Sequence, residues 1–251
     1  MDSLPGVNDA GELSDAVDVA SPASSGNGAP GGPWKHVVAA RATRERGRRT
    51  LVKLLDAAVA EFSAYGYHGA RVARVAKRAG TSHGTFYVYF TGKDDLLLAV
   101  YEESNAESLE ILFEMPALEP GPDGFQALHE WVKRVCVNYQ HDSAIRGAIN
   151  DALADDADPR IITQALRGVG RWTSFFADRI RATGSTGIDP NLAAVAIYNL
   201  LDAANRGVFT GQLVVSLDEL AIGLTEFIHR SIFGLAASIV AAEPEVPQRV
   251  Q

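Results

Sequence analysis

The chain has 251 residues, of which 47% are hydrophobic, enough for a packed core in one large domain or two modest ones. Its single cysteine, Cys136, excludes an intrachain disulfide and a cysteine-rich metal cluster, which fits a reducing compartment. The sequence has neither a signal-peptide core nor an apolar run of the roughly 18 residues that span a membrane, so we expect a cytoplasmic protein.

The net charge of −8 is divided unevenly along the chain. Residues 35–93 contain twelve lysines and arginines against three acidic residues, a net charge of +9, which leaves −17 for the remainder. Opposite charges on two parts of one chain indicate a nucleic-acid-binding part and an acidic body that does not lie on DNA.

Residues 1–33 are rich in Gly, Pro, Ser and Ala, so they bury too little apolar surface to offset the entropy of ordering. We expect a disordered tail there, which continues as a basic arm through residue 40. The arginines of residues 41–49 allow two interpretations. They form either the solvated start of a helix or an arm that binds phosphates or the minor groove.

A helix-turn-helix pattern follows. An apolar stripe marks a first helix: Leu51, Leu55, Ala58, Val59 and Phe62. A second helix covers Val72–Ala79, and Gly80 ends it because glycine adopts the left-handed C-cap conformation at little cost. Ser82 is placed to N-cap a third helix, on which Phe86 and Phe90 share the buried face. Two short helices joined by a tight turn are typical of units whose second helix enters the DNA major groove.

The outer face of the third helix therefore supplies candidate DNA contacts, although an ordinary solvated face is the alternative. His83 offers a donor or acceptor to base edges, and Thr85 suits thymine or a phosphate. Gly84 has no side chain, which lets the start of the helix approach the DNA backbone. Tyr87, Tyr89 and, after the helix, Lys93 are expected to bind phosphates and fix the register.

Residues 46–100 resemble the TetR family of transcription regulators. The resemblance rests on Ala57, Ala58, Phe62, Gly66, Tyr67, Val75, Ala76, Ala79, Gly80, Ser82, Gly84, Thr85, Tyr87, Phe90, Lys93 and Leu96. It departs at Ala70, where the family usually has a threonine that caps the second helix, so that cap is missing or supplied by the backbone. The family positions that match Arg71 and the third helix contact DNA. The predicted DNA-binding residues are Arg71, Ser82, His83, Gly84, Thr85, Tyr87, Tyr89 and Lys93.

The rest of the chain has helical periodicity. A turn at Pro120–Gly124 precedes one helix, and Asp158 and Asp189 are N-caps, each followed by a proline at the first helical position. Ser216 or Asp218 starts the last helix. Nine helices and no convincing strand predict an all-α fold: an N-terminal three-helix helix-turn-helix domain (41–93), a C-terminal helical bundle for ligand binding and dimerisation (94–240), and a flexible tail (241–251).

Aromatic residues are numerous in the C-terminal bundle. Most are core by default, but aromatics with a few polar groups between bundled helices also form ligand pockets. The candidate ligand-binding residues are Trp131, Tyr139, Asn150, Arg171, Trp172, Phe175 and Asn205. No cluster of basic residues in the bundle suggests a multiply charged ligand, and Arg167 and Arg171, one helical turn apart, could hold at most one anionic group, so we expect a mainly apolar effector.

Motifs of enzymes and metal sites are not recognisable. The histidines lack zinc-ligand spacing, and the sequence contains no nucleophile elbow, phosphate-binding loop or dinucleotide fingerprint. We therefore expect no enzyme, no metal and no cofactor, with Cys136 a buried structural thiol.

The resemblance implies a homodimer on a near-palindromic double-stranded DNA operator, usually a repressor that a small effector releases. The apolar stripes assigned to the dimer interface are Leu192, Val195 and Ala196 on one helix and Leu220, Leu224, Phe227 and Ile228 on the other. Two alternatives stay open: a DNA-binding regulator without a small-molecule effector, and an enzyme targeted by its helix-turn-helix.

Overall fold

The computed structural model describes residues 34–154, 158–184 and 188–234, and every regular element in these ranges is an α-helix. The helices are α1 (Lys35–Arg41), α2 (Glu45–Gly69), α3 (Val72–Arg78), α4 (His83–Tyr89), α5 (Lys93–Phe113), α6 (Gly121–His141), α7 (Ser143–Ala154), α8 (Pro159–Ala182), α9 (Pro190–Phe209) and α10 (Leu217–Phe233). The all-α fold class is confirmed. The predicted tails of residues 1–33 and 241–251 lie outside the described residues.

The first helix, α1, corrects the assignment of residues 34–40 to a tail with a basic arm. Val37 and Val38 are buried against the N-terminal core. The buried carboxylate of Glu103 on α5 accepts hydrogen bonds from the backbone N–H groups of His36 and Val37, at 3.0 and 2.9 Å. A distant acidic side chain thus supplies the acceptor that free N–H groups at a helix start require, which local sequence does not reveal.

Three helix starts follow their local signals. Asp158 accepts from the backbone N–H of Arg160, and Asp189 accepts from the N–H groups that open α9. Ser216, rather than Asp218, is the N-cap of α10 and forms a reciprocal capping box with Glu219. The turn predicted at Pro120–Gly124 is instead largely the first turn of α6, where a proline is tolerated because its missing N–H would have no helical partner.

Two apolar cores organise the chain. The first joins α1–α4 to the first half of α5 and includes Phe86 and Phe90. It also takes Ile145 from α7 and Ile161 from α8, so its packing extends beyond the predicted domain boundary at Lys93. The second core joins the end of α5 to α6, α8, α9 and α10. Among the described helices, none is long and apolar enough to cross a membrane.

The apolar residues predicted on the last two helices differ in solvent exposure. Leu192 and Val195 on α9 are 65% and 46% exposed, and Phe227 on α10 is 58% exposed. By contrast, Leu220, Leu224 and Ile228 are buried in the second core. Those three residues stabilise the chain's own bundle, because α10 packs closely along α6, and this corrects their assignment to a dimer interface.

Candidate functional site

The turn between α3 and α4 has the geometry of a helix-turn-helix. Gly80 has a φ of +65°, in the left-handed region that glycine adopts without strain. The Ser82 side chain then caps α4 by accepting from the backbone N–H of Thr85 at 3.0 Å. Phe86 and Phe90 are fully buried with ring centroids 5.5 Å apart, which fixes the helix on the core. The remaining side of α4 faces outward.

The outward side of α4 carries the predicted contact residues in accessible positions. Ser82, His83, Gly84 and Tyr87 are all exposed, and the rings of His83 and Tyr87 meet edge to face at 5.1 Å. A Cβ atom at Gly84 would meet only Ser82 Oγ at 3.8 Å, an ordinary contact. Nothing within the described fold therefore requires glycine at this position, and close approach of Gly84 to DNA stays a prediction.

Three other predicted contact residues are half-buried and take part in the fold. Thr85 Oγ1 lies 2.8 Å from Ser82 Oγ. Lys93 Nζ donates to the backbone carbonyl oxygen of Tyr67 at 2.9 Å and lies 3.8 Å from the centroid of the Tyr67 ring. The Tyr89 hydroxyl lies 3.3 Å from the place a Cβ would occupy at Gly47. Phosphate contacts from Tyr89 and Lys93 stay a prediction, and any such contact shares these side chains with α2.

Arg71 is exposed at the start of α3, where it is the N-cap residue without a side-chain cap. The sequence predicted that the second helix of the motif lacks a side-chain cap, but it placed the N-cap position at Ala70, one residue before Arg71. The buried carboxylate of Glu61 instead binds the N-cap residue's own N–H and leaves the following helical N–H groups without a side-chain cap: its Oε1 accepts from the Arg71 N–H at 3.0 Å and from Arg74 Nε at 2.6 Å. Sequence reasoning missed Glu61, whose signal is an acidic residue three positions after Ala58 on the apolar stripe.

The basic residues around this unit divide into exposed and engaged groups. Besides Arg71, the exposed ones are Arg44, Arg46, Arg49, Lys53, Lys77 and Arg78. Arg41 is engaged, since it donates to the Tyr89 carbonyl oxygen at 3.3 Å and to Asp95 Oδ1 at 3.0 Å. Burial opposes ionisation of Asp95, but the hydrogen bonds from Arg41 and from the Thr91 N–H prevail and hold the pKa of that carboxyl below its ordinary value. Arg41 is therefore a structural residue, which favours the helix interpretation over the arm interpretation at this position.

A cavity lies between α5, α6, α7, α8 and α9 and encloses about 560 Å³ of empty space, including the part open to solvent. Its walls are Tyr101, Asn105, Ile111, Val135, Asn138, Tyr139, Arg146, Gly168, Val169, Trp172, Tyr198, Leu201, Asp202 and Asn205. Three predicted ligand residues, Tyr139, Trp172 and Asn205, are among them. Because that volume includes open solvent, the aromatic and polar lining of the wall, rather than its size, indicates a binding site for a small organic molecule.

Four predicted ligand residues are not on the cavity wall. Trp131 is buried in the second core, where its Nε1–H donates to the Ile111 carbonyl oxygen at 2.8 Å. Asn150 and Arg171 are exposed on the outside of their helices, as is Arg167. Phe175 packs edge to face on Phe113 at 5.6 Å. A helix in a bundle presents only part of its circumference to a cavity, and sequence spacing alone did not say which part.

The cavity contains more polar groups than the sequence had indicated. Tyr101, Arg146, Tyr198 and Asp202 were not predicted, although each interrupts an apolar stretch at helical spacing. Burial raises the pKa of Tyr198 to about 12 and also raises the pKa of Tyr101 and Tyr139. These hydroxyls therefore stay protonated and can donate hydrogen bonds at neutral pH.

Asp202 and Arg146 contribute the two charges of the cavity wall. Asp202 Oδ1 accepts from the Tyr139 hydroxyl at 3.3 Å, and its Oδ2 lies 3.4 Å from the guanidinium of Arg206. Arg146 Nη2 donates to Ser108 Oγ at 2.9 Å, and its guanidinium lies 4.7 Å from the centroid of the Tyr139 ring.

A second polar cluster lies where α5 meets the end of α6. Ligand atoms of Glu107, His141 and Asp142 lie within 4.8 Å of one another. The Asp142 carboxylate already accepts from Ser104 Oγ at 2.6 Å and lies 3.0 Å from His141 Nδ1. Since its oxygens have protein partners, this arrangement is explained by packing and hydrogen bonding alone.

Comparisons with known proteins agree with this geometry. Residues 54–100 match the model of the bacterial regulatory proteins of the tetR family. A fatty acid metabolism regulator protein of Bacillus subtilis (strain 168) is 36% identical over 63 residues, which cover 25% of this chain and 32% of the relative. The match thus spans about a third of that relative's length.

Solved structures of similar fold extend over most of the chain. The transcriptional regulator FadR from Bacillus subtilis in complex with stearoyl-CoA has a TM-score of 0.55 at 22% identity, covering 70% of this chain and 96% of its own. A SmeT–triclosan complex has a TM-score of 0.58 at 18% identity, covering 79% and 99%. These likenesses show a shared fold for the N-terminal unit and the helical bundle.

Proposed function

We propose that this chain, whose N-terminal domain is of the TetR family, is a homodimeric transcriptional regulator that binds operator DNA and releases it when a small molecule occupies the bundle. The observation that carries the proposal is the outer face of α4. His83, Gly84 and Tyr87 are exposed there while Phe86 and Phe90 anchor the opposite side. The face belongs to the segment of net charge +9, which favours DNA.

Assembly as a dimer would give the regulator its operator geometry. The exposed apolar residues of α9 and α10, Leu192, Val195 and Phe227, are a surface that a second copy can cover. Two copies related by a two-fold axis place two recognition helices on one side of the duplex, about 34–36 Å apart for successive major grooves. Most members of the family repress transcription, and we propose that this chain is also a repressor.

The cavity favours a regulator with an effector over one without. Its walls come from five helices, and one of them, α5, begins directly after the recognition helix. A ligand that fits one arrangement of these helices better than another shifts the spacing of the recognition helices. The relatives of known structure that bind stearoyl-CoA and triclosan support this proposal by their fold. The named relatives are regulators, which argues against the targeted-enzyme alternative.

Selection from a random duplex library with the purified chain tests the proposal. We expect enrichment of one near-palindromic sequence within about 15–30 base pairs, because two half-sites one helical turn apart need that length. Its binding should weaken steeply with salt through counterion release. Recovery of only unrelated sequences, or binding that is independent of salt, would contradict a sequence-specific regulator.

A further inference from the structure

The charges around the cavity are not balanced. Asp202 has a partner in Arg206, four residues along the same helix. Arg146 lines the cavity, yet no carboxylate of the described residues lies within the 4.0 Å that defines an ion pair with it. Its Nε is buried and has no hydrogen-bond partner among the described residues, while Nη2 uses only the neutral hydroxyl of Ser108.

An unpaired guanidinium at a buried surface is costly, because a buried charge or donor without a partner loses its hydration. Arg146 is partly stabilised by the Tyr139 ring, whose centroid is 4.7 Å away. That contact is to the face of the guanidinium and leaves available the in-plane N–H donors other than the one bonded to Ser108, and a carboxylate is the group whose two oxygens match a pair of such donors.

The other residues of the cavity wall indicate the chemistry of the uncharged part of the ligand. Four aromatic side chains line the cavity, Tyr101, Tyr139, Trp172 and Tyr198, and the rings of Trp172 and Tyr198 lie 6.4 Å apart. Val135 and Leu201 add apolar surface. Buried Asn205 has a side-chain oxygen without a hydrogen-bond partner in the described structure, so it offers an acceptor to a polar substituent. Flat rings are complementary to such a wall, since aromatic pairs favour offset or edge contacts.

We propose that the effector is an aromatic monocarboxylic acid, whose carboxylate binds Arg146 and whose ring lies among Tyr139, Trp172 and Tyr198. The inference rests on the proposed ligand-responsive function and narrows it to one chemical class. It also replaces the anion-binding role predicted for Arg167 and Arg171, both of which are exposed and away from the cavity wall.

The test compares acids with their uncharged amides of nearly equal shape: phenylacetate with phenylacetamide, cinnamate with cinnamamide, and naphthylacetate with naphthylacetamide. Dissociation constants are measured by calorimetry on the full chain without DNA. We expect at least one acid to bind at least about tenfold more tightly than its amide, the factor that one charged hydrogen-bonded contact supplies. Equal affinities within every pair, or no acid binding at millimolar concentration, would overturn the proposal.

Variants assign the preference to Arg146. Arg146→Gln should bring the acid-to-amide ratio close to one, whereas Arg146→Lys should keep a reduced preference because it keeps the charge but not the planar fork. Arg171→Gln is the matched control, an exposed arginine on α8, and should leave the ratio unchanged. Circular dichroism and the thermal midpoint verify folding of each variant. A ratio that survives Arg146→Gln in a folded chain would contradict the assignment.

The regulatory function and the ligand class are tested by separate measurements. Operator binding by the ligand-free chain tests the regulator, and acid selectivity in the absence of DNA tests the cavity. An acid that binds selectively but leaves operator affinity unchanged would retain the ligand class and overturn its role as effector. Loss of operator binding on adding the same acid, and not its amide, is the result that we expect.

Discussion

Arg41 and Asp95 join the first helix to the helix that follows the recognition helix, with Nη2 and Oδ1 3.0 Å apart. Arg41 also donates to the carbonyl oxygen of Tyr89, the last residue of α4. One side chain thus connects α1, the end of the recognition helix and the first turn of α5. Movement of α5 relative to α1 would therefore disturb a contact at the end of α4.

Replacing Arg41 tests this connection by its pH dependence. Arg41→Gln should lower the free energy of unfolding by about 1–3 kcal/mol at neutral pH, the range for a hydrogen bond to a charged group. The folded pKa of Asp95 lies below its ordinary 3.8, so the stabilisation is present above that value and is lost as the pH falls through the folded pKa. The difference between wild type and variant should therefore be full at neutral pH, begin to shrink near about pH 5, and continue to shrink as the pH falls through the folded pKa, which chemical denaturation across pH can measure.

Arg49→Gln is the control for this series. Arg49 also pairs with a carboxylate, that of Glu45 at 3.1 Å, but both side chains are exposed and four residues apart on one helix. Such a pair contributes less than about 0.5 kcal/mol. Equal losses from the two variants would show that the Arg41 pair has no special structural role.

The start of α3 allows stability and DNA binding to be separated. Arg71→Ser should raise the free energy of unfolding by about 0.5–1 kcal/mol, because serine supplies the side-chain cap that Arg71 lacks. The same change removes a predicted phosphate contact, so operator affinity should fall and the salt slope should decrease by about one unit. Thermal denaturation and binding titrations over a range of salt give both quantities. A variant that is more stable and binds equally well would exclude Arg71 from the DNA contacts.

The exposed apolar residues of the last two helices lead to a prediction about assembly. Leu192→Glu and Phe227→Glu should convert a dimer into monomers in sedimentation velocity, since a dimer would bury these side chains and an unpaired carboxylate is costly there. Val214→Glu is the matched control, because Val214 is 95% exposed in the connection before α10. Dissociation by the control alone, or by none of the three, would place the interface elsewhere.

Cys136 should be unreactive in the folded chain. Burial raises the pKa of its thiol to about 11, so the thiolate that reacts with alkylating reagents is scarce at neutral pH. Labelling with iodoacetamide should be slow in native buffer and should become fast on unfolding in guanidinium. Rapid labelling of the native chain would instead indicate an accessible, reactive thiol.

Local sequence signals were sufficient where a residue acts on its own helix. Asp158, Asp189 and Ser216 cap the helices that they precede, and Gly80 takes the left-handed conformation that its turn needs. Phe86 is buried as its spacing predicted. In these cases the physical cause lies within about one helical turn.

Sequence reasoning failed where the partner is distant in the chain. Glu103 accepts the backbone hydrogen bond that begins α1 and lies 66 residues from Val37, and no residue near Val37 indicates this acceptor. The same limit applies to the cavity. Arg171 was predicted to line it and Arg146 was not, because the orientation of a helix in a bundle depends on its neighbours and not on its own periodicity alone. The helix-turn-helix was easier to predict since its coupled residues lie within one short segment.

Operator affinity of three single variants tests the central claim, that the outer face of α4 binds DNA, most directly. Tyr87→Ala should weaken binding to all duplexes at least about tenfold, and His83→Ala should also relax base preference, since phosphate contacts position and base contacts specify. Phe113→Ala, at an aromatic residue that is 63% exposed at the end of α5, should leave affinity within about twofold. If Tyr87→Ala and His83→Ala bind the selected operator as tightly as Phe113→Ala does, α4 is not the recognition helix.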